Sequence, residues 1–455
     1  MEYLSLLMFI CICVVLLFGY PVALTLAGTS LLFAGIATFF GAFEPTFMST
    51  LPSRIYGIVN NQTLLAVPLF VFMGNVLEKA KIAENLLVSM AQLFGQFRGG
   101  LAISVTIVGM LLAASTGIVG ATVVTMGLLS LPTMLKNGYD RAFSSGLICA
   151  TGTLGQIIPP SIALVLLGDV LSNSYQRAQL DMGNFSPETI SVGDLFAGAV
   201  IPGLMLVAFY IIYCIVITFI KPEKVANKDE VETSFQLSVF IQALLPPVIL
   251  VSLVLGSILL GFATPTEAAG VGAFGALVLA KLNGQLNLDN LRAVMTSTTK
   301  VTSMVFLILI GASIFSLVFR GLGGEELIKH FFIELPGGVI TATLIVMLVI
   351  FLLGFILDFI EITFVVVPIV APILFIMGVD PLWLGIMIAI NLQTSFLTPP
   401  FGFALFYLRG VADKIIKTSE IYKGVMPFIA LQLLLMVVLS IWPELVTWLP
   451  DKIYG

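Results

Sequence analysis

Pro-Pro pairs at Pro159-Pro160 and at Pro399-Pro400 interrupt long apolar stretches of the chain. Proline has no N–H to donate and clashes with the preceding helical turn, so a pair of prolines breaks a helix and frees several backbone carbonyls. In a bilayer an unsatisfied carbonyl is costly, so such a break persists only where it lines a cavity within the protein. Carbonyls of unwound helices are also the oxygens that hold small cations in membrane transporters. The sequence therefore predicts two cation-binding breaks.

The composition places these breaks in a membrane. Of the 455 residues, 59% are hydrophobic and 10% are charged, whereas soluble domains carry about 25% charged residues. The apolar runs are continuous and of helix length rather than alternating, which excludes an outer-membrane barrel. No basic patch with interleaved aromatic residues indicates nucleic acid as a partner. We predict an all-α polytopic membrane protein in the lipid bilayer.

Two further apolar stretches, residues 100–135 and 338–377, have an unusual length. Each is too long for one transmembrane helix and too short for two complete crossings with a loop. Each also has a polar or glycine-rich middle, at Ser115-Thr116-Gly117 in the first and from Gly354 to Asp358 in the second. We predict that both are re-entrant helical hairpins.

The hairpins and breaks recur in the same order, which predicts an internal repeat. The predicted regions are N-terminal scaffold helices in 1–63, a first repeat in 64–220, a cytoplasmic linker in 221–238 and a second repeat in 239–455. Each repeat has a hairpin followed by a Pro-Pro-broken helix, at 100–135 and 142–172 in the first and at 338–377 and 382–408 in the second.

The distribution of Lys and Arg predicts the orientation of these repeats. If the basic loop at 221–228 is cytoplasmic and both hairpins are re-entrant, all but five of the 20 Lys and Arg residues fall inside, as the positive-inside rule requires. The five outside are Arg54, Arg177, Arg320, Lys329 and Lys452. The N-terminus is then periplasmic and the repeats have inverted topology, which is an architecture of secondary transporters.

The motifs at the breaks resemble those of the large membrane subunit of tripartite ATP-independent periplasmic (TRAP) transporters. They are Gly155-x-x-Ile158-x-Pro160-Ser161, Asn391-Leu392 with Thr398-Pro399-Pro400-Phe401-Gly402, and Ala263-Thr264-Pro265-Thr266-Glu267-Ala268-Ala269. The resemblance implies an elevator-type transporter of the bacterial inner membrane, with a mobile domain and a fixed scaffold. It also implies Na+-driven import of an organic acid, a small four-helix membrane partner and a periplasmic substrate-binding protein. Na+ would be the co-transported ion, without an organic cofactor.

The resemblance further implies two sodium sites. The first would join the hairpin tip to the first break, through Thr116, Gly117, Ile118, Gly155, Ile158 and Pro160. The second would use Gly354, Ser395, Thr398 and Pro400. Where the family has Ser-Gly-Ser at the first tip, Thr116 keeps a hydroxyl and Ile118 offers only its backbone carbonyl. Ser395 replaces a glycine that is more usual in the family.

The substrate is expected between these sites, facing half-helix N-termini that favour a carboxylate. The candidate contacts are Ser115, Thr122, Gln156, Ser161, Gln393 and Thr394. No Arg or Lys falls within the breaks or tips, so anion binding would rest on amide dipoles and bound Na+. A carboxylate within an apolar hairpin is costly, so we add Asp358 to the substrate candidates, with a role in gating or ion coupling. Glu361 has either such a role or simply faces a water-filled cavity.

There are two alternatives to a TRAP subunit, and the second differs from it in class. A stand-alone Na+/dicarboxylate symporter of the same superfamily would need no binding protein. An intramembrane enzyme would need a paired catalytic set, but Asp358 has no second intramembrane aspartate as a partner and His-Glu-x-x-His does not occur. We therefore predict that the protein is not an enzyme.

Overall fold

A computed structural model describes residues 3–94, 98–225, 237–412 and 415–454. These residues contain helices, turns and loops, with no β-strand among them. Six of the described helices are long and apolar enough to cross a membrane, or up to eight spans result if each of two bent helix pairs counts as one. The predicted all-α polytopic fold is confirmed.

The α-helices are numbered here in chain order. They are α1 (Leu4–Leu17), α2 (Val22–Phe39), α3 (Leu51–Val59), α4 (Ala66–Lys79), α5 (Ile82–Phe94), α6 (Gly100–Thr116), α7 (Val119–Lys136), α8 (Arg141–Thr153), α9 (Ile162–Asp181), α10 (Val192–Ile220), α11 (Leu237–Leu259), α12 (Pro265–Leu282), α13 (Leu288–Gly321), α14 (Gly324–Ile333), α15 (Gly338–Leu353), α16 (Phe359–Val365), α17 (Val367–Ile376), α18 (Pro381–Leu397), α19 (Phe403–Ala412), α20 (Thr418–Ile441) and α21 (Glu444–Tyr454).

The chain forms two compact units. The first contains Met1–Leu65, Leu166–Ser191 and Thr299–Gly385, and the second contains Ala66–Val165, Val192–Thr298 and Ile386–Gly455. Within the first unit, α2 and α13 approach closely, because a Cβ at Gly311 would lie 2.5 Å from the carbonyl oxygen of Ala23. Small residues allow this approach where apolar helices pack in a membrane.

Glycines also set the packing of the second unit. The backbones of α8 and α20 meet at Gly146 and Gly424, where a Cβ on either residue would overlap the facing backbone. Another glycine, Gly74 of α4, faces the end of α6: its Cβ would lie 2.8 Å from Cα of Thr116 and 2.9 Å from the carbonyl oxygen of Ser115. The tip of the first hairpin is therefore held directly against α4.

Both predicted hairpin stretches contain helices joined by a short reversal. In the first, α6 ends at Thr116, Gly117 adopts the left-handed conformation with φ +62° and α7 follows. In the second, α15 leads into a reversal around Gly354, and then α16 and α17 form one of the bent pairs, at an angle of 55°. Re-entry of the two stretches from one side of a membrane stays a prediction.

Pro159-Pro160 and Pro399-Pro400 interrupt helices, as predicted, whereas a third pair, Pro246-Pro247, lies inside α11 without ending it. The first break separates α8 from α9 and begins with a 3-10 turn over Leu154–Gln156. The second separates α18 from α19, and the Pro159-Pro160 and Pro399-Pro400 peptide bonds are both cis.

Several elements were not predicted. The helices α3, α5, α14 and α21 lie outside the two hairpin stretches and outside the apolar runs of membrane-spanning length. The sequence places these runs near 3–18, 20–43, 64–78, 142–172, 193–219, 239–262, 265–282, 300–319, 382–408 and 424–442. The helix α9 continues to Asp181, well beyond the predicted end of the first broken helix at residue 172. Most of the predicted linker, residues 226–236, lies outside the described residues.

Candidate functional site

The first hairpin tip is a buried cluster of hydroxyl groups. The hydroxyl oxygens of Thr116 and Thr122 lie 2.7 Å apart and join the two arms of the hairpin. Backbone carbonyls of the same turns also bond to these side chains: Leu112 accepts from Ser115 and from Thr116, both at 2.9 Å, and Ile118 accepts from Thr122 at 3.0 Å. Because every polar atom here is an oxygen or a backbone amide, the tip suits a hard cation.

This tip packs against the first break. A Cβ on Gly155 would lie 3.2 Å from the carbonyl oxygen of Ala113 and 3.6 Å from the carbonyl carbon of Gly117. Likewise, a Cβ on Gly117 in the tip would lie 3.2 Å from the backbone nitrogen of Ile162, where α9 begins. The structure thus brings Thr116, Gly117 and Gly155, which were predicted for the first sodium site, into one region.

The residues of the first break are buried, including Ile158 and Pro160. The hydroxyl of Ser161 donates to the carbonyl oxygen of Gly155 at 2.7 Å and approaches that of Gln156 at 3.3 Å. This hydrogen bond within the loop fixes the direction of the Gly155 carbonyl. Since a carbonyl oxygen has two lone pairs, this bond leaves one for an ion.

The second break is less enclosed than the first. Thr394 and Ser395 are buried and Thr398 is half-buried, but Pro400 is exposed. The hydroxyl of Thr398 donates to the carbonyl oxygen of Thr394 at 2.7 Å, and the Pro400 carbonyl accepts from the Tyr422 hydroxyl at 3.2 Å. The two breaks therefore differ in enclosure, although the repeat predicted similar sites.

A side-chain hydrogen bond links the two broken helices within the second unit. Nε2 of Gln393 on α18 donates to Oγ1 of Thr153, the last residue of α8, at 3.2 Å. The side chain of Gln393 is fully buried and that of Gln156 nearly so, and the amide oxygen of each has no hydrogen-bond partner. A buried acceptor without a partner costs about 1–3 kcal/mol, so an ion or ligand that coordinates to these oxygens would be favoured.

Gly354 and Asp358 belong to the first unit. Asp358 is the N-cap of α16: its Oδ1 accepts from the backbone N–H of Phe359 at 2.7 Å, and its own N–H donates to Oε2 of Glu361 at 2.9 Å. These bonds form a capping box, in which both carboxylates serve the start of a helix. Their part in gating, ion coupling or substrate binding stays a prediction.

The cap at Asp358 predicts different effects for two substitutions. Asn caps a helix about as well as Asp, whereas Ala at an N-cap costs about 0.5–2 kcal/mol. We therefore expect Asp358→Ala to lower the melting temperature of the purified protein and Asp358→Asn to change it little. The same pair of changes at Asp140, which caps α8 by accepting from the N–H of Phe143, is the control. Equal losses for Asn and Ala at position 358 would show that the charge, not the cap, holds this hairpin.

Comparison with known proteins agrees with these motifs. A family model described as "Tripartite ATP-independent periplasmic transporter, DctM component" matches residues 9–445. The chain is 29% identical over 478 residues to the C4-dicarboxylate TRAP transporter large permease protein DctM of Vibrio cholerae, with 99% of this chain and 98% of the relative covered. It is 27% identical over 444 residues to the sialic acid TRAP transporter large permease protein SiaM of the same species, with 96% of each covered. The crystal structure of the YdaH transporter of Alcanivorax borkumensis has a similar fold, with a TM-score of 0.62 at 16% identity over 97% of this chain and 98% of that one.

Proposed function

Because the chain belongs to the DctM component family of tripartite ATP-independent periplasmic transporters, we propose that it imports an organic acid together with Na+. The protein is a multi-pass membrane transporter subunit and not an enzyme. The finer statements, on the ion, the substrate and the partners, are supported by the residues as follows.

The observation that carries the sodium proposal is the contact between the first hairpin tip and the first break. Its polar groups are hydroxyls and backbone carbonyls, and Gln156 in the adjoining 3-10 turn has an unpartnered amide oxygen. Oxygen ligands without competing Arg or Lys suit Na+, so we propose Thr116 and Gly155 as ligands, with Gln156 as a further ligand for the ion or the substrate. A second Na+ would bind at Ser395 and Thr398, in the more exposed second break.

The charge of the substrate supports more than one ion. Moving one elementary charge across 100 mV is worth roughly 2.3 kcal/mol. A dianion that enters a negative interior would meet about twice that opposition unless at least two Na+ accompany it. With a monoanion the same two ions carry net positive charge inward, so the potential drives uptake.

The family supports the substrate class and the partners that we propose. The names of the two relatives specify a C4-dicarboxylate and sialic acid, and both compounds are carboxylates. The family description specifies a tripartite, periplasmic system, which supports a small four-helix membrane subunit and a periplasmic binding protein as partners. We further propose an elevator mechanism in the bacterial inner membrane, with the N-terminus in the periplasm.

Sodium coupling is tested by uptake into proteoliposomes that contain this chain and its small membrane partner, with the cognate binding protein added outside. We expect uptake driven by a Na+ gradient to fall to background when choline replaces Na+. Undiminished uptake in choline would contradict the coupling. Full uptake without the binding protein would instead support the stand-alone symporter.

Thr398→Ala is expected to raise the Na+ concentration for half-maximal uptake by about tenfold, which corresponds to ~1.4 kcal/mol. The change removes a hydroxyl oxygen that can coordinate Na+ while its hydrogen points to the Thr394 carbonyl. The matched control is Thr133→Ala on α7, which loses a similar bond to the carbonyl four residues earlier, at 2.9 Å. The same sodium dependence in both variants would exclude Thr398 from the ion site.

A further inference from the structure

The first unit contains a cavity of about 520 Å³ whose lining includes Arg54, Arg177 and Arg320. This space, named here the arginine cavity, has a volume typical of small-molecule sites. The three arginines come from α3, α9 and α13, which are far apart in the sequence. Neutral polar groups complete much of the remaining polar lining: Asn61, Asn173, Ser174, Ser313 and Ser316.

The positive charges of the arginine cavity are only partly balanced. Glu325 lies between two of the arginines, with Oε1 at 2.6 Å from Nη2 of Arg177 and Oε2 at 3.1 Å from Nε of Arg320. The Arg320 Nε is buried, and its N–H makes no hydrogen bond despite that short distance. Glu325 alone therefore neutralises one of two positive charges and leaves a donor unused.

The other charges of the cavity do not remove this excess. Asp169 also lines it, with Oδ1 accepting from Nδ2 of Asn61 at 2.9 Å. Arg54 takes part in no ion pair or hydrogen bond among the residues that the structure describes. Three guanidinium groups and the carboxylate of Asp169 line the cavity, while Glu325 pairs with two of the arginines from outside the lining and Asp181 attracts Arg320 at longer range. The lining itself therefore carries an excess of positive charge, and its like charges repel in a partly desolvated space.

We propose that the arginine cavity binds a small organic carboxylate, at a site separate from the two helix breaks. Guanidinium groups pair with carboxylates through two parallel hydrogen bonds, and the amide and hydroxyl side chains can bind the remaining oxygens. A bound carboxylate would neutralise the excess charge and engage Arg54. The site thus recognises the charge of the anion, whereas the breaks contain no Arg or Lys.

The place of this site in transport rests on the function proposed above. The distribution of Lys and Arg predicts all three arginines on the periplasmic side. There, a positively charged cavity would raise the local concentration of an arriving anion. Because arginine supplies the charge, binding in the arginine cavity should not require Na+.

The test measures binding by isothermal titration to the full-length protein in detergent, in choline buffer without Na+. The probes are the choline salts of succinate and lactate, and the neutral analogue is succinamide. We expect a carboxylate to bind and succinamide not to. Arg54→Gln should weaken that binding by about tenfold or more, since a hydrogen bond to a charged group contributes at least that factor. Lys329→Gln, which removes the same charge from α14 of the same unit outside the cavity lining, should bind as wild type does.

A second variant tests whether a loss of binding reflects the cavity itself rather than the change in net charge. Ser316→Leu fills part of the cavity without changing its charge, and it should also weaken binding. Absence of carboxylate binding in choline, or equal binding by wild type and Arg54→Gln, would overturn the proposal. If Arg54→Gln instead weakens only the capture of the binding protein, the cavity is a docking site for that partner and the proposal fails.

The two proposals fail in different ways. Uptake that is undiminished in choline, combined with Arg54-dependent binding, would remove sodium coupling and leave the carboxylate site. Na+-driven uptake without any binding in choline would remove the carboxylate site and leave the coupling.

Discussion

Gly424→Ala is expected to abolish most of the folded protein. A Cβ at this position would overlap the carbonyl oxygen of Ala142 and lie 3.0 Å from the backbone nitrogen of Gly146. Both neighbours are backbone atoms of α8, so no side-chain rotation can relieve the overlap. Overpacking typically costs 1–3 kcal/mol even where side chains can shift, and we expect a loss of at least about 3 kcal/mol here. Melting temperature and yield of monodisperse protein in detergent measure it.

The matched control is Gly270→Ala in α12, where a Cβ would meet nothing within 4 Å. The same change there should stabilise the helix slightly, by up to about 1 kcal/mol, because Ala is the better helix former. Similar melting temperatures for the two variants would contradict the close backbone contact between α8 and α20. Since α8 leads into the first break, any folded Gly424→Ala protein should also bind Na+ more weakly.

The parts of the fold that the sequence predicted correctly depend on local chemistry. Pro159-Pro160 and Pro399-Pro400 interrupt helices because proline lacks an N–H and clashes with the preceding turn. The surroundings also matter, since Pro246-Pro247 lies inside α11 without ending it. The stretch 100–135 forms α6 and α7 because its length and its left-handed Gly117 leave few other solutions. Burial of the breaks was a weaker inference, since it depends on neighbours: the first break is enclosed, but Pro400 in the second is exposed.

The unpredicted helices share a different property. The helices α3, α5, α14 and α21 have only 9–13 residues each and carry polar as well as apolar faces. A search for membrane-length apolar runs passes over such segments, because they are too short to span a bilayer and polar residues interrupt their apolar positions. The signal that finds them is helical periodicity.

The two carboxylates of the second hairpin, Asp358 and Glu361, show how a local sequence motif can predict a structural role. Burial cost alone suggested a transport role for Asp358 and Glu361. Their spacing, a capping residue followed three positions later by Glu, is also the signature of a capping box, and that is the geometry observed. The arginine cavity is the opposite case: no local pattern joins Arg54, Arg177 and Arg320, so only the folded chain reveals their association.

Gln393→Leu is expected to reduce Na+-driven uptake at least tenfold without lowering thermal stability. Leucine has a similar volume and brings no buried polar atom, so the cost of the unpartnered Oε1 disappears together with the bond to Thr153. Replacing a poorly satisfied polar group by an apolar one of similar shape can be nearly neutral or stabilising. The variant should therefore keep its melting temperature while uptake falls, because an oxygen ligand between the two broken helices is lost.

Gln432→Leu provides the control, because Gln432 shares with Gln393 its burial, its unpartnered amide oxygen and a donated side-chain hydrogen bond. It is fully buried in the same unit, its Oε1 has no partner and its Nε2 donates to the hydroxyl of Tyr210 at 2.9 Å. It lies on α20, away from both breaks in the sequence. If an unpartnered buried amide oxygen contributes to transport only at the broken helices, Gln432→Leu should keep wild-type uptake. Equal losses in the two variants would mean that buried glutamines serve the packing of this unit, and Gln393 would then lose its assignment as a ligand.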